Sequence, residues 1–182
     1  MNSYIITKEH LQLQRKDDRR FSAVLNENLK KRILNSRESS VTVFLSHKHD
    51  EVDVLEDVIS LLKRCGVDVY VDWMDEGMPK TTCCLTAERL KDKITSCKKF
   101  IFLGTEGAIA SKWCNWELGI GDGKKYPYDI AVMPIADYEG IYSGNEYLQL
   151  YPVIKSNYMT IPGDYYVEWG IQRVSLKDWL LR

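Results

Sequence analysis

The stretch SKWCNWELGIGDGKK (111–125) carries the residue types best suited to chemistry in this chain. On a helix, positions four apart stack on one face, so Trp113 and Glu117 would stand together as an aromatic wall beside one carboxylate. Ser111 suits the N-cap, where its hydroxyl accepts an orphan backbone N–H. Gly119, Gly121 and Gly123 predict that the helix ends abruptly after Glu117. The spacing alone also fits a plain amphipathic helix, with Glu117 solvated and Trp113 covering core. GIGDGKK itself is neither a P-loop nor a dinucleotide fingerprint, because its spacing fails and it follows a helix rather than a strand.

Other reactive side chains form weaker patterns. His47 and His49 with Asp50 offer two imidazoles at i and i+2 but no tetrahedral ligand set, so no metal is expected. The five cysteines, Cys65, Cys83, Cys84, Cys97 and Cys114, are odd in number and contain no C-x-x-C pair. That argues against a zinc ribbon or a thioredoxin-like site. No export signal is recognisable, so free thiols in a reducing cytoplasm are expected. Cys114 reads as a structural thiol, not a nucleophile.

These side chains need elements to place them. VTVFLS (41–46) is apolar on both faces, as a buried parallel strand is. Val54, Leu55, Val58, Ile59, Leu61, Leu62 and Cys65 follow at helical spacing, closed by Gly66. VDVYVDW (67–73) predicts a second strand and MDEGMPK (74–80) a loop. Cys83, Ala87, Leu90, Ile94 and Cys97 mark a helix, FIFLG (100–104) a third strand, the opening stretch a third long helix and DIAVMPI (129–135) a fourth strand. The tail predicts a short helix in GNEYLQLYPVI (144–154), a last strand at YMTI (158–161) and a closing helix at SLKDWLL (175–181). Alternating strands and helices with short links imply a parallel sheet of about five strands, flavodoxin-like, with helices on both faces.

In such sheets ligands bind beyond the carboxyl ends of the strands. That rule selects Ser46, His47 and Lys48, the 72–78 segment and 104–106, and it puts the start of the Trp113–Glu117 helix near the same edge.

Composition bounds the function. The chain has 182 residues, 45% hydrophobic and 28% charged, with a net charge of −1. That is one globular domain with an appendage at most, and it gives no reason to expect nucleic-acid or membrane binding. Residues 1–40 differ: nine basic against five acidic residues leave the remainder at about −5. Phe21, Val24, Leu25, Leu29 and Ile33 share a helical face. The expected division is a helical N-terminal extension (1–40) and an α/β domain (41–182), joined through the polar link SRESS.

Taken together, VFLSHKHDE (43–51), VDVYVDW before a Gly/Pro-bearing loop, and SKWCNWEL (111–118) resemble a TIR (Toll/interleukin-receptor) domain. The resemblance is narrower to the bacterial TIR proteins of Thoeris-type antiphage defence, which SGNEYLQLYP (143–152) also resembles. It covers roughly residues 40–165. It implies an enzyme that splits NAD+ at the nicotinamide–ribose bond, an NAD+ glycohydrolase or ADP-ribosyl cyclase, with NAD+ as substrate and no cofactor or metal. The family's catalytic glutamate maps onto Glu117. Its substrate contacts map onto Phe44, Ser46, His47, Lys48, Trp73, Asp75, Met78 and Trp113. The resemblance also implies self-association through TIR surfaces, a cytoplasmic location and a downstream effector that senses the nucleotide product. The alternative is a non-catalytic TIR scaffold that works by self-association and partner docking, since a fold does not by itself give a function.

Overall fold

The computed structural model describes residues 4–14, 41–75, 77, 79, 81, 83–136, 144, 146–157 and 164–182. Its centre is a run of parallel strands: β2 (Thr42–Ser46), β3 (Asp68–Tyr70), β4 (Lys99–Gly104), β5 (Ile130–Ala136) and β6 (Val153–Ser156). They lie in the order β3-β2-β4-β5-β6, joined by α2 (Val52–Arg64), α3 (Cys84–Ser96), α4 (Glu106–Ala110) and α5 (Lys112–Lys125). The expected parallel sheet flanked by helices is therefore present.

The two-sided apolar pattern of the strands has a direct cause. Side chains alternate across a strand, and here both sets are covered. Val43, Leu45, Ile101, Leu103, Ala131 and Met133 face α2, where Leu55, Val58 and Leu62 are fully buried. Phe44, Phe100, Phe102, Ile130 and Val132 face the other way, onto Leu90 and Ile94 of α3 and Cys114 and Leu118 of α5. Each such buried side chain contributes about 1.5–3 kcal/mol relative to exposure. Gly66 closes α2 with φ +88, a conformation that favours glycine.

Three features depart from the sequence reading. The sheet continues beyond β6 with an antiparallel hairpin, β7 (Tyr165–Trp169) and β8 (Gln172–Ser175), giving eight strands among the described residues. Trp169 pairs with Gln172, so Gly170 (φ +59) and Ile171 form a two-residue turn with glycine first. The expected strand at 158–161 lies outside the described residues, and the closing helix is α6 (Leu176–Leu181).

Second, residues near the N-terminus join the domain. Strand β1 (Ile6–Thr7) pairs in parallel with Ile135 and Ala136 of β5. Residues 8–14 form the helical segment α1, whose Leu11 packs with Ile6 in the α2-side core. A boundary at residue 40 therefore does not isolate residues 4–14. The apolar stripe from Phe21 to Ile33 lies outside the described residues.

Third, the glycines do not stop α5. The helix runs through all three to Lys125. Pro127 ends it, because the residue before a proline is pushed out of the helical region, and Tyr126 is extended at ψ 140. Gly121 faces the sheet, where an added Cβ would come within 3.0 Å of the Phe100 ring. Its bare backbone lets α5 approach β4. Gly119 and Gly123 have open space around them.

The glycines should thus respond in opposite directions. Gly119→Ala removes a helix-weakening residue and is expected to stabilise by about 0.5–1 kcal/mol. Gly121→Val forces bulk against a fully buried ring and is expected to destabilise by about 1–3 kcal/mol. Urea denaturation of the two variants checks the sign of each.

Candidate active site

Glu117 is on the inward face of α5, with Cys114, Leu118 and Gly121. The register of α5 is set at its start, where the Ser111 hydroxyl accepts the Cys114 N–H at 3.3 Å. Two turns of helix carry Glu117 over the carboxyl end of β2, the strand at which the sheet order reverses. There the Ser46 hydroxyl donates to Glu117 Oε2 at 2.6 Å, with both residues buried. The carboxyl group is thus held at the sheet edge and shielded from water. Burial pushes its pKa up to about 7; the Ser46 hydrogen bond opposes the rise, the nearby Asp72 carboxylate adds to it and His49 opposes it.

A crevice of about 140 Å³ opens beside this pair. His47, Lys48 and His49 form one wall, Asp72 the side beyond β3, Thr86 and Leu90 the side of α3, and Ser111, Trp113 and Cys114 the side of α5. His47 is buried, and its Nδ1 lies 3.0 Å from the Leu45 carbonyl. A carbonyl only accepts, so Nδ1 carries the proton and Nε2 keeps the lone pair. Burial lowers the His47 pKa, with smaller opposing effects from the Leu45 carbonyl and Asp72, so the ring is neutral. The His47 carbonyl accepts from the Cys114 thiol at 3.1 Å. Burial pushes that thiol up to about 11, which makes it a poor nucleophile. His49 Nε2 lies 2.7 Å from Asp72 Oδ2, and this contact raises the His49 pKa.

The fold thus brings His47, Lys48, Trp113 and Glu117 to one crevice although they are far apart in sequence, with Ser46 buried behind Glu117. Trp113 is 40% exposed and meets Trp116 edge-on at 5.1 Å. It also borders a shallow shelf of about 350 Å³ with Ala87, Lys112 and Trp116.

Two of the expected substrate contacts are elsewhere. Phe44 is 1% exposed, stacked on Phe100 at 5.4 Å. It points to the same side of β2 as Ser46 but one step lower, so it is core beneath the crevice. Asp75 is occupied as a loop anchor. It accepts from Arg89 Nε at 2.9 Å and Nη2 at 2.6 Å, from the Tyr70 hydroxyl at 2.8 Å and from the Gly77 N–H at 3.0 Å. The Arg89 guanidinium holds its carboxyl well below the usual range. Those bonds tie the loop after β3 to α3 and leave the carboxylate no free face. The side chain of Trp73 and the whole of Met78 lie outside the described residues.

His49, Thr86 and Leu90 complete the crevice without a substrate role expected from the sequence, together with Asp72, the first residue of the 72–78 segment that the edge rule selects. Asp72 is the penultimate residue of VDVYVDW, and a polar residue just past a strand's carboxyl end was the available signal. A larger cavity, about 310 Å³, lies at the opposite edge of the sheet among Lys99, Tyr128, Trp169 and Trp179. Its buried cation, Lys99, is bound to Asp129 at 2.5 Å. No carboxylate–hydroxyl pair like Glu117–Ser46 is in its lining, so the smaller crevice is the better candidate.

A flavodoxin-like parallel sheet with a buried glutamate at its carboxyl edge defines the class, and the TIR domain profile matches residues 43–149. The chain belongs to the TIR domain family. Among curated relatives, a Bacillus cereus (strain MSX-D12) protein named "Probable 3' cyclic ADP-D-ribose synthase ThsB'" is 34% identical over 116 residues, 62% of this chain and 59% of its own. A Cytobacillus dafuensis protein named "Putative cyclic ADP-D-ribose synthase TIR2" is 25% identical over 79 residues, 42% of this chain and 21% of its own. The chain thus spans about three fifths of the first relative and about a fifth of the second. Among the described residues no helix is long and apolar enough to cross a membrane.

The raised Glu117 pKa fixes a pH dependence. Between pH 4.5, the ordinary glutamate value, and about 7, the folded protein holds a proton that the unfolded chain has released. Glu117 therefore adds stability that is full below about pH 4.5 and falls as pH rises to about 7. Glu117→Gln is expected to flatten that part of the stability curve relative to wild type, by a difference on the order of 3 kcal/mol. Denaturant midpoints at pH 5 and pH 7.5 read it.

Proposed function

We propose that this protein is an NAD+-cleaving TIR enzyme that produces a cyclic ADP-ribose signal, with Glu117 as the catalytic group. The observation that carries this reading is the buried Glu117–Ser46 pair at the carboxyl edge, facing a crevice walled by His47 and Trp113. The names of both relatives, cyclic ADP-D-ribose synthases, favour the cyclising branch.

The chemistry suits a single carboxylate. Nicotinamide leaves as a neutral molecule when the ribose C1′–N1 bond breaks, because the bonding pair goes to a ring nitrogen that was positively charged. No general acid is required. The costly event is positive charge developing on the ribose, as in the oxocarbenium-like state of glycoside hydrolysis. A carboxylate aimed at that charge and at the ribose hydroxyls stabilises it. Water captures the ribosyl cation to give ADP-ribose and a proton; an oxygen or nitrogen of the same molecule captures it to give a cyclic product and a proton.

Burial leaves Glu117 partly protonated near pH 7 in the free protein. A cationic nicotinamide ring entering the crevice favours the ionised form, so catalysis and substrate charge reinforce one another. Ser46 keeps the carboxyl oriented, His47 presents a neutral ring, and the face of Trp113 suits a cationic ring. At about 140 Å³ the crevice is smaller than the roughly 300 Å³ at which ligand pockets begin. It holds the nicotinamide–ribose end, and the rest of the dinucleotide extends over the rim toward Trp113 and Lys112.

NAD+ is substrate in this reading, not a resident cofactor. The product serves a downstream effector in Thoeris-type antiviral defence inside the cytoplasm, and TIR surfaces mediate self-association. The open Trp113–Trp116 shelf also supports the second reading, a scaffold that works by docking alone. The two separate on one substitution. Incubation of purified protein with NAD+, read by product mass, is expected to yield nicotinamide and a cyclic ADP-ribose. Glu117→Ala is expected to lower that turnover by about 10²–10³ with its oligomeric state unchanged. Equal turnover in both proteins would sink the enzyme reading. In wild type, kcat/KM is expected to rise with pH to a plateau with a midpoint near 7, the pKa of the free carboxyl.

A further inference from the structure

His47, His49 and Asp72 converge from two segments of the chain onto one wall of the crevice. One ligand atom of each lies within 4.8 Å of the others. His47 Nε2 is buried, has no hydrogen-bond partner among the described residues, and lies 3.9 Å from Asp72 Oδ1. Its lone pair is fixed in that direction because Nδ1–H is committed to the Leu45 carbonyl. A ring held by a backbone carbonyl through one nitrogen and bare at the other is the arrangement of a ligating histidine. His49 brings its Nε2 to 2.7 Å from the other oxygen of the same carboxylate.

We propose that His47 Nε2, His49 Nε2 and the Asp72 carboxylate form a site for a divalent transition ion of the zinc class, set in the crevice so that ion and dinucleotide exclude one another. The exclusion rests on the reading of the crevice as a dinucleotide site; the ion site does not. Two imidazoles with one carboxylate favour zinc-like ions over magnesium or calcium, which prefer all-oxygen sets. Tetrahedral ligand bonds of about 2.0–2.2 Å place any two ligand atoms roughly 3.3–3.6 Å apart. The wider separations, all within 4.8 Å, therefore close in by at most about 1.4 Å, and the His49–Asp72 pair opens from 2.7 Å, mainly through movement of the exposed His49 ring, whose side chain is 61% accessible. The positions left open on the ion face the crevice and take water. Binding displaces the His49–Asp72 hydrogen bond and gives the buried His47 nitrogen a partner.

The test is direct titration of the full-length protein with Co2+, followed by visible absorption and by displacement with Zn2+. The expected result is one ion per chain, with affinity at least tenfold weaker in His49→Ala and in Asp72→Asn. The exposed thiols Cys83 and Cys84 are a rival site, so the Cys83→Ser/Cys84→Ser variant is titrated alongside and is expected to match wild type. Binding lost in that variant, or unchanged in His49→Ala and Asp72→Asn, would overturn the ion site. A readout on wild type needs no variant: Zn2+ is expected to shift the ring 15N signals of His47 and His49 and to leave those of His10, the third histidine. Shifts at His10 alone would likewise overturn it. Nicotinamide riboside, which carries no phosphates to chelate the ion, is then added. Loss of the Co2+ bands supports the exclusion. Persistence of the bands overturns the exclusion and leaves the ion site standing.

Discussion

One contact organises this molecule: a carboxyl group on a helix meeting a hydroxyl at the end of a strand, out of reach of water. Glu117 and Ser46 are 71 positions apart, and their contact at 2.6 Å holds only if α5 lies close against the sheet at the correct height. Three local features set that height. Ser111 fixes the helix start, Cys114 ties the first turn to the His47 carbonyl, and Gly121 lets the second half of the helix settle on Phe100. The carboxyl ends up where its ionised form is disfavoured, which is a cost to stability at neutral pH and an advantage to any site that must recognise a cation. A group with a pKa near 7 responds to a charge brought beside it, whereas a solvated glutamate is already ionised.

The surroundings divide the labour. Asp75 looks like a site residue from its place after β3, yet its oxygens are taken by Arg89, Tyr70 and the Gly77 N–H. It fixes the loop that brings Asp72 to the crevice rim. Phe44 is likewise structural: stacked on Phe100, it forms part of the floor under Ser46. The opposite edge of the sheet is built on a different principle. Lys99 is buried there against Asp129 and under the Trp179 ring at 4.7 Å, a paired charge that closes the bottom of the domain. A buried charge with a strong partner is a structural element; a buried acid held by a hydroxyl and by no ion pair is available for chemistry.

How much of this was legible follows the range of the forces involved. The two-faced apolar runs and the period-3.6 stripes marked β2 to β5 and the helices α2, α3 and α5, because burial demands them locally, whereas β6 stands at the end of a segment (144–154) that reads as a short helix. The edge rule then singled out Ser46, His47 and Lys48 and the helix bearing Trp113 and Glu117. The β7–β8 hairpin left only half a signal: Gly170 and Ile171 follow a run rich in Tyr, Val and Trp, YYVEW, but the returning strand, QRVS, holds one β-branched residue. The strand β1 left little signal, since two residues carry no period. The glycines of α5 misled because propensity counts each as a helix breaker, whereas packing of Cys114, Leu118 and Gly121 on the sheet outweighs about 1 kcal/mol per glycine.

The sequence by itself determined the class of fold, the face on which Trp113 and Glu117 stand, and the edge of the sheet where a ligand would bind. These depend on periodicity and chain direction, which neighbouring residues encode. Only the tertiary structure decided that Glu117 is buried on Ser46, that Phe44 and Asp75 serve packing and anchorage, and that Asp72 stands against His47 and His49. Those facts depend on distances between segments remote in the chain, and such distances are set by how side chains fill the space between sheet and helix. No local pattern carries that information.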